Sequence, residues 1–216
     1  MNHKIEINLN KLNLEAGDLC LDFANTANWH ASAEPVESLN NYTDLATWAK
    51  KTGLLNDQET EQLLQQAAVH PAEADAVLEQ AIELREAIYH IFSAIANKTS
   101  ARDTDLAILN RALQEACPHL EAAPAPQKFT WHWVGYTGTF DLMLGPVARA
   151  AAELLTSDLL NRVKQCEDDR GCGYLFLDLS KNRSRRWCDM ESCGNRAKVR
   201  RYRRRQGSVE PGDIKL

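Results

Sequence analysis

Four cysteines near the carboxyl end constrain the folding of this chain more than any other feature. Cys166, Cys172, Cys188 and Cys193 follow the spacing C-x5-C-x15-C-x4-C, and the two other cysteines stand alone far upstream. Zn²⁺ is commonly held by four thiolates in a tetrahedron, and two cysteine pairs brought together by a hairpin supply them. So small a segment buries too little apolar surface to fold without a metal. The spacing therefore predicts a structural zinc site, with redox-active pairs or buried thiols as the alternatives.

The residues around these cysteines predict a short hairpin followed by a helix. Residues 174–177 form an apolar strand, the sequence SKNRS makes a turn, and residues 185–187 return the chain. After Cys193, the run GNRAKVRRYRRRQG favours a helix that Gly207 ends. Cys193 then lies at the helix N-terminus, where the macrodipole favours a thiolate. A knuckle, a hairpin and a helix that begins at a ligand make up a treble-clef-like finger.

The charges of the 216-residue chain are strongly segregated, although its net charge is only −5. Residues 1–161 carry 10 Lys and Arg against 22 Asp and Glu, a net −12, whereas residues 162–206 carry 14 against 6, a net +8. Such asymmetry is typical of an acidic domain joined to a basic segment that meets an anionic partner. We therefore divide the chain into an acidic, mostly helical regulatory domain (1–161), a zinc finger (162–206) and a flexible tail (207–216).

The basic segment is a candidate nucleic-acid-binding surface. Seven of the ten residues from 196 to 205 are positive, and their mutual repulsion on a helix would be relieved by phosphates. The alternatives are a solvated basic tail, or a tail that docks on the acidic domain of the same chain. If about six phosphates are contacted, log K falls with log salt at a slope near −5 on duplex DNA. The candidate residues are Arg183, Arg185, Arg186, Arg196, Lys198, Arg200, Arg201, Arg203 and Arg204.

The sequence favours DNA over RNA as the partner. A helix that presents arginines fits the major groove of a duplex. RNA-binding modules more often expose several aromatic side chains for base stacking, and only Tyr202, Trp187 and Tyr174 are available here. An RNA-binding or ribosome-associated zinc protein is the alternative function. Because one finger reads little sequence, a homodimer through the acidic domain would extend the contact.

Apolar periodicity predicts that the acidic domain is mainly α-helical with one β-hairpin. Asn56 and Glu59 form a capping box before a helix, and residues 72–98 carry a long apolar stripe. A further helix spans residues 103–117. We interpret residues 118–127 as a Pro/Ala linker, and the alternating segments 129–134 and 139–144 as the two strands of the hairpin. A last helix is predicted from Pro146 to about Val163.

Two parts of the sequence resemble known families. The stretch RGCGYLFLDLSKNRSRRWCDMESCGNRAKVRRYRRR resembles the CGNR zinc finger, whose name-giving motif stands at residues 193–196. The stretch GDLCLDFANTANWH, residues 17–30, resembles the start of the companion domain that precedes this finger, a stress-response regulator of transcription. The resemblance implies that the four cysteines are zinc ligands and that the finger binds DNA. Our hypothesis is a regulator of transcription whose acidic domain senses a signal or mediates assembly.

Asp22 and Asn25 are the candidate ligand-binding residues of the acidic domain. With Trp29 and His30 nearby, they would line a pocket for a small-molecule effector; the alternative is that they hydrogen-bond a helix terminus. No catalytic motif of recognisable spacing is present, so we predict that the protein is not an enzyme, the alternative being an enzyme that the finger anchors. The start of the chain lacks the apolar core of a signal peptide, and no run is long enough to span a membrane, which predicts a cytoplasmic location.

Overall fold

Helices make up most of the described chain in the computed structural model. The structure describes residues 14–126, 128–134 and 139–207, except for the side chains of Lys128 and of residues 204–207. From residue 208 onward, the predicted tail lies outside the described residues. The α-helices are α1 (Leu19–Ala24), α2 (Tyr42–Thr52), α3 (Asp57–Val69), α4 (Pro71–Ala96), α5 (Asp103–Ala116), α6 (Leu144–Leu155) and α7 (Asn195–Gly207).

Short antiparallel strand pairs complete the fold. Single turns of 3₁₀ helix at Cys117–His119 and Asp158–Arg162, and a π-turn at Met190–Gly194, join some of the elements. No helix in the described part of the chain is long and apolar enough to cross a membrane. The pairs are β1 (Ala27–Asn28) with β2 (Val36–Glu37), β3 (Leu120–Ala125) with β4 (Lys128–Trp133), and β5 (Val163–Gln165) with β6 (Leu175–Leu177).

The helix boundaries follow local capping chemistry. The predicted capping box is present: the side-chain Oδ1 of Asn56 accepts from the Glu59 backbone amide, and the Glu59 carboxylate accepts from the Asn56 backbone amide. Helix α2 ends at Gly53, which adopts the left-handed conformation (φ 85°) that closes a helix at low steric cost. Helix α4 buries the predicted stripe, including Leu84 and Ile88, against the other helices.

The predicted hairpin of the acidic domain is wrong in its pairing. Strand β4 pairs with β3, which lies in the segment interpreted as a linker, and Pro124 stands opposite Phe129. The segment predicted as the second strand forms a turn and the start of α6 instead. An alternating pattern does not show which other strand a strand pairs with. A proline cannot donate a backbone hydrogen bond, but in a sheet of two strands there is no third strand that needs this donor. Helix α6 also ends earlier than predicted, at Leu155.

The strand pairing of the finger also differs from the prediction. Strand β6 forms where the apolar segment predicts it, but it pairs with β5 and not with residues 185–187. The returning chain contributes isolated hydrogen bonds: the Arg186 carbonyl accepts from the Glu167 amide, and the Asp178 carboxylate accepts from the Arg185 amide. The returning segment therefore closes the finger without adding a strand.

One hydrophobic core runs through residues 14–161, called the body here, and into residues 162–207, called the finger. Val163, Leu175 and Leu177 belong to the same buried cluster as the body helices. Phe176 points the other way and packs with the cysteines in a small second cluster. Alternate residues of β6 thus serve two cores, since successive side chains of a strand point to opposite faces. This arrangement fixes the cysteines against the body.

Candidate functional site

The four cysteines come together at the end of the finger nearest to α7. Their sulfur atoms all lie within 4.8 Å of one another. Cys172 and Cys188 are separated by 3.7 Å, and Cys188 and Cys193 by 3.6 Å. A tetrahedral Zn²⁺ with Zn–S bonds of about 2.3 Å places its sulfurs about 3.8 Å apart. The cluster therefore has the size and the donor set that a zinc ion requires.

Hydrogen-bonded turns place three of the cysteines, Cys166, Cys172 and Cys193. The Cys166 amide donates to the Tyr174 carbonyl at 2.9 Å, which closes the loop that carries Cys172. Before α7, the Asp189 carboxylate accepts from the amides of Glu191 and Ser192 and starts the π-turn that holds Cys193. Both turns are local, which explains why cysteine spacing predicts the site well.

The cluster needs a cation to hold four thiolates. Hydrogen bonds from Cys172 and Cys188 lower the pKa of the Cys166 thiol. The same contacts raise the pKa of Cys172 and of Cys188, since each is held protonated beside a thiolate. A divalent ion replaces those protons and lets all four sulfurs ionise. Thus the residues present fit Zn²⁺, which would leave a formal charge of −2 at the site.

Helix α7 is anchored to this site by two of its arginines. Arg196 donates a hydrogen bond to the Cys193 sulfur at 3.0 Å, and its Nε lies 3.6 Å from Asp168. Arg200 binds the carboxylates of Asp168 at 3.1 Å and Asp169 at 2.6 Å. The Asp168 side chain is fully buried, so these pairs are poorly screened by solvent. The side of α7 that carries Arg196 and Arg200 is therefore turned toward the protein.

A tryptophan of the body adds to that anchor. The guanidinium groups of Arg170 and Arg196 lie 5.1 Å and 5.3 Å from the centre of the Trp29 ring, within the range of cation–π attraction. Trp29 itself has a left-handed backbone (φ 55°) that turns its ring toward the finger. Helix α7 is thus held by the body as well as by the cysteine loops.

Two glycines of the finger permit close approach to the body. Gly171 and Gly173 both have positive φ, at 88° and 68°. A Cβ atom on Gly173 would lie 2.5 Å from the Tyr89 hydroxyl and 2.7 Å from the Ala31 amide; on Gly171 it would lie 2.6 Å from Ser32 backbone. Only glycine fits these positions, because both the backbone conformation and the neighbouring chain exclude a side chain.

Most of the remaining predicted basic residues do not contact the cysteine site. Lys198, Arg201 and Arg203 on α7 and Arg183 on the turn are exposed and form no ion pair with the described part of the chain. The side chain of Arg204 lies outside the described residues.

Two other predicted residues are used partly by the finger itself. Arg185 donates to the carbonyls of Trp187 and Cys188 and lies 4.2 Å from the centre of the Phe176 ring. Arg186 pairs with Glu167, and both side chains remain about half exposed. Fewer basic side chains are therefore free to contact a nucleic acid than the sequence alone predicts.

Comparison with known families agrees with this geometry. Residues 17–158 match the ABATE family model, described as "putative stress-induced transcription regulator", and residues 162–206 match the CGNR zinc finger. The chain belongs to the ABATE family. No curated protein matches it. The family resemblance expected from sequence is confirmed, as are the zinc-finger fold and the zinc cofactor.

The candidate ligand-binding residues of the ABATE domain, Asp22 and Asn25, form hydrogen bonds within the protein and also line a cavity. Asn25 bridges to β6 of the finger: its amide nitrogen donates to the Leu175 carbonyl at 2.8 Å, and its oxygen accepts from the Leu175 amide at 2.9 Å. Asp22 accepts from the amides of Glu15 and Ala16. Both side chains also line a cavity of about 250 Å³. Both side chains therefore have structural roles, although neither hydrogen-bonds a helix terminus, and their role in binding an effector stays a prediction.

Several residues of the site were missed by sequence reasoning. Asp168 and Asp169 stand out only as an acidic pair in a basic segment. Trp29 was placed near the pocket, whereas it contacts the finger, and His30 hydrogen-bonds Glu86 and stacks on Tyr89. These contacts join residues far apart in sequence, so no local pattern predicts them.

Proposed function

We propose that the protein is a non-enzymatic, DNA-binding regulator of transcription whose α7 contacts the phosphates of a duplex. The observation that carries the proposal is the division of the basic residues of α7 into anchored and exposed ones. Asp168 and Trp29 hold Arg196 and Arg200 on one face. Lys198 and Arg201 on the opposite face, and Arg203 one turn beyond Arg200, are exposed to solvent. Exposed cations on a helix held at a fixed orientation suit phosphate contact, because the helix backbone loses little conformational freedom on binding.

The match to a family described as a regulator of transcription supports DNA as the partner. A homodimer would double the basic surface that is offered to a duplex. A cytoplasmic location would suit binding of either DNA or RNA. One observation favours RNA instead: Tyr202 lies among the arginines of α7 and is 63% exposed, which would let a base stack on its ring. Direct competition between duplex DNA and single-stranded RNA distinguishes the two.

The experiment is a titration of fluorescent duplex DNA with the zinc-loaded protein at several salt concentrations. Four described, unpaired cations predict a slope of log K against log salt of about −3.6, and contacts from residues 204 and 205 would bring it to about −5. Replacing Arg201 and Arg203 together by glutamine should lower the slope by about 2 in magnitude.

A matched control removes two charges from the body. Lys50 and Arg111 are exposed and pair with Asp57 and Glu83, so their replacement by glutamine should leave the slope unchanged. Absence of duplex binding at about 50 mM salt would refute the proposal. Preference for RNA in the competition would replace DNA by RNA as the partner.

A further inference from the structure

A cavity of about 250 Å³ opens where the body meets the finger. Its walls come from α1, α2 and the chain before α1, and the finger contributes Tyr174, two residues after Cys172. The volume corresponds to about eight water molecules in the liquid, enough for a small organic molecule. A ligand there would touch the body and the finger together.

Four polar side chains of the wall already donate their hydrogen bonds within the protein. The Asn25 amide donates to β6, and the hydroxyls of Thr26 and Thr52 donate to main-chain carbonyls of α1 and α2. The Asn28 amide donates to Ser38. A hydroxyl that donates still has acceptor capacity, and so does the Asn28 oxygen. These side chains therefore offer acceptors to a ligand that brings hydrogen-bond donors.

The carboxylate of Asp22 in the cavity wall favours a cationic ligand. Asp22 receives three hydrogen bonds from backbone amides, which leaves part of its carboxylate capacity open. Burial raises the pKa of Asp22 to about 6, which still leaves the carboxylate mostly ionised at neutral pH. Within the described part of the chain, Asp22 forms no ion pair with a Lys or Arg side chain. Lys51 lies at the rim, 68% exposed, where it pairs with Glu15 at 3.7 Å.

The rings of Trp48 and Tyr174 line the same cavity. Trp48 is held in place by Phe23, with ring centres 4.9 Å apart. Aromatic faces attract ammonium groups, and a nearby carboxylate adds to that attraction. We propose that this cavity binds a small organic ammonium ion, with Asp22 as its counter-ion and the two rings beside its carbon chain.

The test is calorimetric titration of the full-length, zinc-loaded protein with 1,4-diaminobutane, in the absence of nucleic acid. The uncharged control ligand is 1,4-butanediol, which has the same length. We expect saturable binding of one diamine per chain, at least about tenfold tighter than the diol. Because no nucleic acid is present, failure here is separate from failure of the proposed function.

Variants locate the site. Asp22→Asn should weaken diamine binding at least about tenfold, whereas Asp75→Asn, the same change at an exposed position of α4, should not. If Asp22→Asn does not fold, Tyr174→Leu removes one ring face and should weaken binding in the same direction. Equal affinity for diamine and diol, or diamine binding that neither variant at the cavity weakens, would overturn the proposal.

Discussion

Removal of the Asn25 side chain tests how strongly the body holds the finger. Asn25 satisfies both the amide and the carbonyl of Leu175, a residue that is fully buried. Truncation to alanine leaves these two backbone groups without their partners. Each unpaired buried group costs about 1–3 kcal/mol. Since the bridge borders an open cavity that water can enter, we expect the free energy of unfolding to fall by about 2–4 kcal/mol.

Urea unfolding, followed by circular dichroism, measures this change. Asn28→Ala is the matched control, because Asn28 makes an exposed hydrogen bond to Ser38 and its loss should cost about 0.5 kcal/mol or less. Zinc content should remain one per chain in both variants at the start of the titration. If Asn25→Ala costs no more than Asn28→Ala, the bridge does not stabilise the junction and the reasoning from buried polar groups fails.

Three further predictions concern charge, metal and the anchor of α7. Burial raises the pKa of Asp22 from 3.8 to about 6. The contribution of this group to the free energy of unfolding is therefore present at low pH and is lost as pH rises through about 4 to 6. In urea titrations, the free energy of unfolding of Asp22→Asn relative to wild type should rise by about 1–2 kcal/mol between about pH 4.5 and about pH 7. Cys188→Ser should lose its zinc by elemental analysis, whereas Cys117→Ser, at an exposed free thiol, should keep it. Trp29→Ala should weaken duplex binding by about threefold to thirtyfold while zinc content is unchanged, and Trp131→Ala should have no effect on either.

Local signals predicted much of this structure. The capping box at Asn56, the apolar stripe of α4 and the spacing of the cysteines each depend on residues close together in sequence, and each was confirmed. Such features form because backbone geometry fixes which neighbours can meet. The zinc site was therefore the most predictable part of the molecule.

Long-range contacts were not predictable in the same way. Strand β4 alternates regularly, but that pattern fits a partner on either side, and the proline and alanines of β3 have little preference for strands. Asn25 and Leu175 are 150 residues apart, and nothing near either residue indicates the other. The same holds for Trp29 and Arg196, whose contact decides which arginines face solvent.

The close fit of Gly171 and Gly173 against the body has a consequence for recombination between relatives. A finger transplanted onto another body would keep its zinc ligands, yet it would meet a surface that was not shaped for its backbone. The residues that shape this fit, at Ala31, Ser32 and Tyr89, lie in the acidic part of the chain. The two parts are therefore expected to be inherited as a matched pair, and successful chimaeras should be those that exchange both sides of the junction together.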